Sequence, residues 1–183
     1  KLLTLGVNTA VTKEKIGFIG TGVMGQSMAG HLIDAGYEVL VYTRTKTRAQ
    51  ALLEKGAKWK ETVQEVAEQS DVIITMVGYP HDVKEIYLGK DGIIHNAKKG
   101  CYTIDMTTSS PILAREIYQA AKEKHIHALD APVSGGDIGA QKATLAIMVG
   151  GDSEAFSAVT PILEKMGTNI VLQGSAGAGQ HTK

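Results

Sequence analysis

Three glycines open the chemistry of this chain. Gly20-Thr21-Gly22-Val23-Met24-Gly25 follows the G-x-G-x-x-G spacing. The apolar run "KIGFIG" stops at the first of them, and helical periodicity starts near Val23. In that context Gly20 makes a tight turn, Gly22 lets the backbone approach a pyrophosphate, and Gly25 packs helix on strand. Thr21, Val23 and Met24 complete the same cradle. Free N–H groups and the dipole at the helix start favour a phosphate's charge. A bare G-x-G-x-x-G also suits a plain strand-to-helix turn. Its position between a strand and a helix is what points to a dinucleotide.

The end of the next strand selects between dinucleotides. An acid there would hold the adenosine ribose of NAD. Residues 42–48 instead read "YTRTKTR", with no acid. A 2′-phosphate needs a cation and hydroxyl donors. Arg44 can stack on an adenine face and reach that phosphate, while Thr43 and Thr45 can donate hydrogen bonds. Lys46 and Arg48 add positive potential. NADP is therefore expected over NAD, the alternative being a solvated basic turn.

Other reactive side chains are less pointed. "PVSGGD", residues 132–137, follows a strand's carboxyl end, where open α/β sheets bind ligands, although a simple turn would read the same. His125 and His127 can share a strand face, but no Cys, Asp or Glu completes a zinc spacing, so no metal is expected. Cys101, before an apolar strand, reads as a small buried hydrophobe. Asp105 and Asp130, at strand ends, read as loop caps rather than as groups acting on a substrate.

The elements that must position these residues alternate along the chain. "YEVLVYT", "DVIITMV", "CYTIDM", "IHALD", "TLAIMVGG" and "NIVLQG" read as buried strands, and "AKWKE" as a short one. Helical patterns separate them. "TVQEVAEQ" is capped by Thr62 with Glu65 three residues later, and "SSPILAREIYQAAKEKH" by Ser110 with Pro111 in the first turn. "HDVKEIYLG" is expected to be a helix and "APVSGGDIGAQKA" a loop. The alternation predicts an α/β fold: one doubly wound, mainly parallel sheet over residues 15–175, covered on both faces. Residues 1–14 read as a leader segment, and "GAGQHTK", residues 177–183, as leaving the domain.

Composition narrows the function classes. With 183 residues and 43% hydrophobic content the chain can bury a substantial core. Lys+Arg and Asp+Glu both number 19, which argues against general nucleic-acid or anionic-membrane binding. One cysteine allows no internal disulfide and suits a reducing compartment, so a cytoplasmic location is expected. No apolar run approaches the roughly 20 residues of a spanning helix.

Four segments taken in order, "GFIGTGVMGQSMAGHL", "DMTTSSP", "DAPVSGG" and "GAGQHTK", resemble the β-hydroxyacid dehydrogenases. That family includes 3-hydroxyisobutyrate dehydrogenase, tartronate semialdehyde reductase, glyoxylate/succinic semialdehyde reductases and 6-phosphogluconate dehydrogenase. The resemblance covers nearly all of residues 14–183 and implies a Rossmann-type NAD(P)-binding domain. It places Met76 and Val77 against the cofactor ribose, with Pro80 two residues later than the family's turn. It places Thr108 beside the nicotinamide, with Thr107 where a serine is usual. Ser134, Gly135 and Gly136 would hold a substrate carboxylate. Lys183 takes the catalytic role, with His181 as a neighbour. Gln180 resembles the 3-hydroxyisobutyrate branch more than the 6-phosphogluconate branch.

The resemblance further implies that residues 176–183 begin a linker helix to an all-helical domain not contained in this sequence. That domain would carry an Asn partner of the lysine and the contacts of a homo-oligomer, so this stretch alone is expected to be inactive. The implied reaction is hydride transfer between NADP(H) and a small β-hydroxyacid or semialdehyde. A lysine amine, ordinarily near pKa ~10.4, acts as a base only where burial or a neighbouring cation lowers it. A 6-phosphogluconate dehydrogenase-like enzyme and a non-catalytic dinucleotide-binding module are the alternatives. Imine reductases of the same superfamily usually lack the lysine.

Overall fold

A computed structural model of the chain describes residues 14–183. The leader segment expected over residues 1–14 lies outside the described residues, apart from Glu14. The first strand, β1 (Lys15–Ile19), is buried after its first residue. Such continuous apolar runs are what a parallel strand with both faces covered requires. Its successive side chains point to opposite faces and split the core in two. Ile16 and Phe18 join Met28, Leu32, Val41 and Ile74 on one face. Ile19 joins Val66, Ile73, Val83 and Tyr87 on the other.

The first half runs β1, α1 (Val23–Asp34), β2 (Glu38–Tyr42), a 3₁₀ turn (Lys46–Ala49) into α2 (Gln50–Glu54), then β3 (Lys58–Trp59) and α3 (Val63–Gln69). The chain returns through β4 (Val72–Thr75), α4 (Pro80–Leu88), α5 (Ile93–Asn96), β5 (Tyr102–Asp105), α6 (Pro111–Glu123) and β6 (His127–Asp130). The strand order is β3-β2-β1-β4-β5-β6, all parallel. The order reverses between β1 and β4, so a crevice opens at their carboxyl ends.

Helix starts follow the expected capping chemistry. Thr62 Oγ1 accepts from the Glu65 N–H at 3.1 Å, and Ser110 Oγ from the Leu113 N–H at 3.1 Å. Pro80 and Pro111 each stand at the start of a helix, where no N–H is needed.

The last third departs from the parallel pattern. β7 (Val133–Ser134) and β8 (Leu145–Gly150) are antiparallel to one another, and β8 is antiparallel to β6. α8 (Ser153–Leu163) then leads into β9 (Gly167–Gly174), which lies parallel to β8.

Two expectations change here. "APVSGGDIGAQKA" is not a loop: it holds β7 and a helix, α7 (Gly136–Lys142), packed on α1. Its glycines hide the helical pattern, yet a Cβ on Gly139 would stand 3.2 Å from Leu145 Cδ2, so small residues let the helix sit close. His31 Nε2 lies 2.8 Å from the Ala140 carbonyl oxygen and ties the two helices. Nor does "GAGQHTK" leave the domain. α9 (Ala178–Thr182) folds back on β8 and β9. α5 escapes a periodicity reading because it is one turn long, with Ile93 and Ile94 buried.

Candidate active site

The glycine loop joins β1 to α1 at the crevice. Gly20 has φ +96°, and a Cβ there would collide with the Met76 carbonyl oxygen. A Cβ on Gly25 would collide with the Gly20 carbonyl oxygen and stand 3.3 Å from a Phe18 ring carbon. Gly22 differs: a Cβ there meets nothing within 4 Å, so its backbone faces open space. α1 has no side-chain cap and no acid in its first turn, which leaves its leading N–H groups without an anionic partner. Thr21 Oγ1, beside them, is buried without a hydrogen bond. These features fit a bound diphosphate. An open cleft of about 610 Å³ runs from Thr21, Gly22, Val23 and Gln26 to Thr47 and Arg48. Met24 is half-buried behind it.

The basic turn is divided by the fold. Arg48 and Thr47 line the cleft. Thr43 is half-buried and Thr45 exposed, the Thr45 carbonyl accepting from Arg48 N at 3.0 Å. Lys46 is drawn over the Trp59 ring, 5.6 Å from its centroid. Arg44 pairs with Asp82 at the start of α4, Nη2 to Oδ1 at 2.7 Å.

A buried polar chain ties the loops at the carboxyl ends of β4 and β5. Thr75 Oγ1 donates to Asp105 Oδ1 at 2.9 Å, so the Tyr87 hydroxyl, 2.8 Å from Thr75 Oγ1, donates to it in turn. The same Asp105 oxygen accepts from the Thr107 N–H at 3.1 Å. Thr107 Oγ1 accepts from the Val77 N–H at 3.0 Å. The Met76–Val77 and Thr107–Thr108 turns are thereby held together, with Thr108 exposed above them. Burial holds the Asp105 carboxyl up at about 6, and the neighbouring Asp130 charge adds to the rise; its hydrogen bonds with Thr75 and Thr107 oppose it. Asp105 therefore organises two loops.

Asp130 does the corresponding work for the C-terminal segment. Its Oδ1 accepts from Gly177 N and its Oδ2 from Gln180 N, both at 2.9 Å. Gln180 is 6% exposed and bridges outward: its Nε2 donates to the Thr107 carbonyl at 2.7 Å and its Oε1 accepts from Ser109 N at 2.8 Å. Gly179 packs so closely that a Cβ would collide with the Met148 carbonyl oxygen. Lys183 Nζ, thus delivered, donates to Ser134 Oγ at 2.7 Å across 49 residues of sequence. Gly135 (φ +135°) and Gly136 (φ +60°) follow Ser134 with exposed backbone. His181 is exposed on α9.

Asp82, Thr47, Thr75, Tyr87 and Gln180 had no assigned function from sequence. Asp82, Thr75, Tyr87 and Gln180 meet their partners only once the fold forms, and Thr47 reaches the cleft the same way. Gln180 alone carried a signal, as part of the "GAGQHTK" motif. Among the described residues no cluster of His, Cys, Asp and Glu could hold a metal ion, and no helix is long and apolar enough to cross a membrane.

A doubly wound sheet with a glycine-rich turn and an uncapped helix at its switch point defines a dinucleotide-binding Rossmann domain. Residues 15–174 match the model of the NAD binding domain of 6-phosphogluconate dehydrogenase. The chain belongs to that NAD(P)-binding family, and its relatives are 3-hydroxyisobutyrate dehydrogenase-like. It is 65% identical over 171 residues to the uncharacterized oxidoreductase YkwC of Bacillus subtilis, covering 93% of this chain and 59% of that protein. It is 48% identical to a probable mitochondrial 3-hydroxyisobutyrate dehydrogenase-like protein of Arabidopsis thaliana, covering 94% of this chain and 52% of the relative. The solved structure of Mycobacterium tuberculosis 3-hydroxyisobutyrate dehydrogenase with L-serine superposes with a TM-score of 0.88 at 36% identity, covering 93% of this chain and 57% of that one. This chain therefore spans between half and three-fifths of the length of these relatives.

Proposed function

We propose that the protein transfers a hydride between NADP(H) and a small β-hydroxyacid or its semialdehyde, with Lys183 as general acid/base. The observation that carries this reading is the 2.7 Å contact of Lys183 Nζ with Ser134 Oγ. It sets a proton-carrying group beside the loop whose Ser134 hydroxyl and Gly135 and Gly136 N–H groups suit a substrate carboxylate. The glycine loop Gly20–Gly25 and the N-terminus of α1 would hold the diphosphate. Arg44, with Thr43 and Thr45, would receive a 2′-phosphate. Met76, Val77 and Thr108 would flank the nicotinamide riboside. The bound cofactor supplies the hydride acceptor or donor.

Oxidation removes a hydride from the carbinol carbon and a proton from its hydroxyl; the Lys183 amine takes that proton. In reduction the ammonium form returns it to the carbonyl oxygen and polarises that bond beforehand. The Asp130 and Gln180 contacts fix the segment that carries the lysine, so the amine need not search for the reacting oxygen.

The test is a substrate screen on the whole protein, following NADPH absorbance with glyoxylate, succinic semialdehyde, tartronate semialdehyde and 3-hydroxyisobutyrate. One of these should turn over, and Lys183→Ala should lower kcat by about 10²-fold or more while cofactor binding persists. Near-normal turnover in that variant refutes the acid/base role. NADPH should bind more tightly than NADH, and Arg44→Ala should narrow the gap.

A further inference from the structure

The end of β2 lacks an acid in the sequence, yet the fold delivers one. Asp82, in the first turn of α4, accepts from Arg44 Nη2 at 2.7 Å across 38 residues. The Asp82 side chain is 11% exposed and that of Arg44 80%. The carboxylate is the member fixed by the fold, and the arginine reaches to it along the surface. Tyr79 and Pro80 hold the carboxylate's place: the Asp82 N–H donates to the Tyr79 carbonyl at 3.1 Å, and Pro80 starts the helix. His81 Nε2 lies 3.4 Å from the same Asp82 oxygen, its ring stacked on Tyr79 at a centroid distance of 5.8 Å.

We propose that Asp82 is a specificity-determining residue for the adenosine end of the cofactor, acting through Arg44 against a 2′-phosphate. The inference rests on the reading of Arg44 as the phosphate's contact. A phosphate on Arg44 must share one guanidinium with a carboxylate that cannot retreat. The two anions then stand about a guanidinium's width apart, close enough for like charges to repel through solvent screening. A bare ribose carries no such charge, so the carboxylate does not repel it. The side chain therefore weighs against the phosphate alone. It lowers a preference for NADP(H) that Arg44 alone would make steep.

Asparagine separates charge from tether, because it keeps an acceptor oxygen for Arg44 and drops the negative charge. The experiment measures Kd for NADPH and for NADH on the whole protein, in the wild type, Asp82→Asn, Arg44→Ala and the double variant. Asp82→Asn should raise the preference for NADPH, the ratio of the NADH to the NADPH constant, by about tenfold. The same substitution in the Arg44→Ala background should move that ratio much less. An unchanged ratio in Asp82→Asn overturns the proposal. So does a fall, which would make the carboxylate a tether that helps the phosphate. The Arg44→Ala ratio is judged separately: if it equals the wild-type ratio, the reading of Arg44 fails, whatever Asp82 does. Each ratio is taken within one protein, so a general loss of stability cancels. Asp82→Ser, also uncharged, repeats the test if the asparagine variant does not fold.

Discussion

The single cysteine shows how far residue type alone can mislead. Cys101 is 2% exposed, and burial pushes its thiol up to about 12, against which the nearby Lys98 charge works only weakly. A thiol reacts as its thiolate, so this one is inert while the fold is intact. Ellman's reagent at pH 8 should leave Cys101 unmodified in the native protein and modify it after guanidinium unfolding, read on the peptide that carries it. Rapid native reaction would mean that the edge around Lys98–Tyr102 opens readily. The sequence reading of Cys101 as a small hydrophobe agrees with its burial, because an isolated cysteine beside an apolar strand has no neighbour to activate it. Arg44 is the opposite case. Its local sequence holds no acid, and its ion pair with Asp82 exists only because the fold brings the turn after β2 to the start of α4.

Among the elements, those with strong local signals were legible. β1, β2 and β4 are mostly apolar and β5 rich in β-favouring residues, and α3 and α6 carry capping residues that do what their types suggest. α7 was not legible, since Gly136 and Gly139 mask a helix that packs on α1 and lets Gly139 sit against Leu145. α9 was recognised as a motif but not as a docked element. Nothing in "GAGQHTK" shows that Asp130, some fifty residues earlier, caps it with both oxygens. That clasp is testable. In Asp130→Asn one of the two N–H groups meets an amide NH₂ instead of an acceptor, leaving a buried donor unsatisfied. The whole protein should lose about 10²-fold in kcat, through misplacement of Lys183, with a far smaller change in Kd for NADPH. Equal losses in both would point to general damage instead.

At the scale of the whole molecule, the buried carboxyl under the crevice links stability to pH. Asp105 stands at about 6 in the fold against an ordinary 3.8, chiefly through burial. A carboxyl raised in this way stabilises the native state fully below about pH 4, and that contribution fades as the pH rises through about 6. Asp105→Asn cannot ionise and escapes the loss. Between pH 4 and pH 7 the difference in unfolding free energy should move in the variant's favour by about 2–3 kcal/mol. Denaturant titrations at the two pH values check this, and parallel pH profiles would contradict it. The same molecule also has an order of assembly written into its topology. Asp130 closes β6, yet both of its oxygens find their donors only in residues 177–180. On a ribosome, β1 through β8 can pair while that carboxylate still faces water, because its donors emerge later. Docking of α9 over β6, β8 and β9 is then a late event that takes the Asp130 carboxylate out of water. The lysine at its end meets Ser134 when the strands before it already stand, so a nascent chain holds its dinucleotide crevice before it holds that contact.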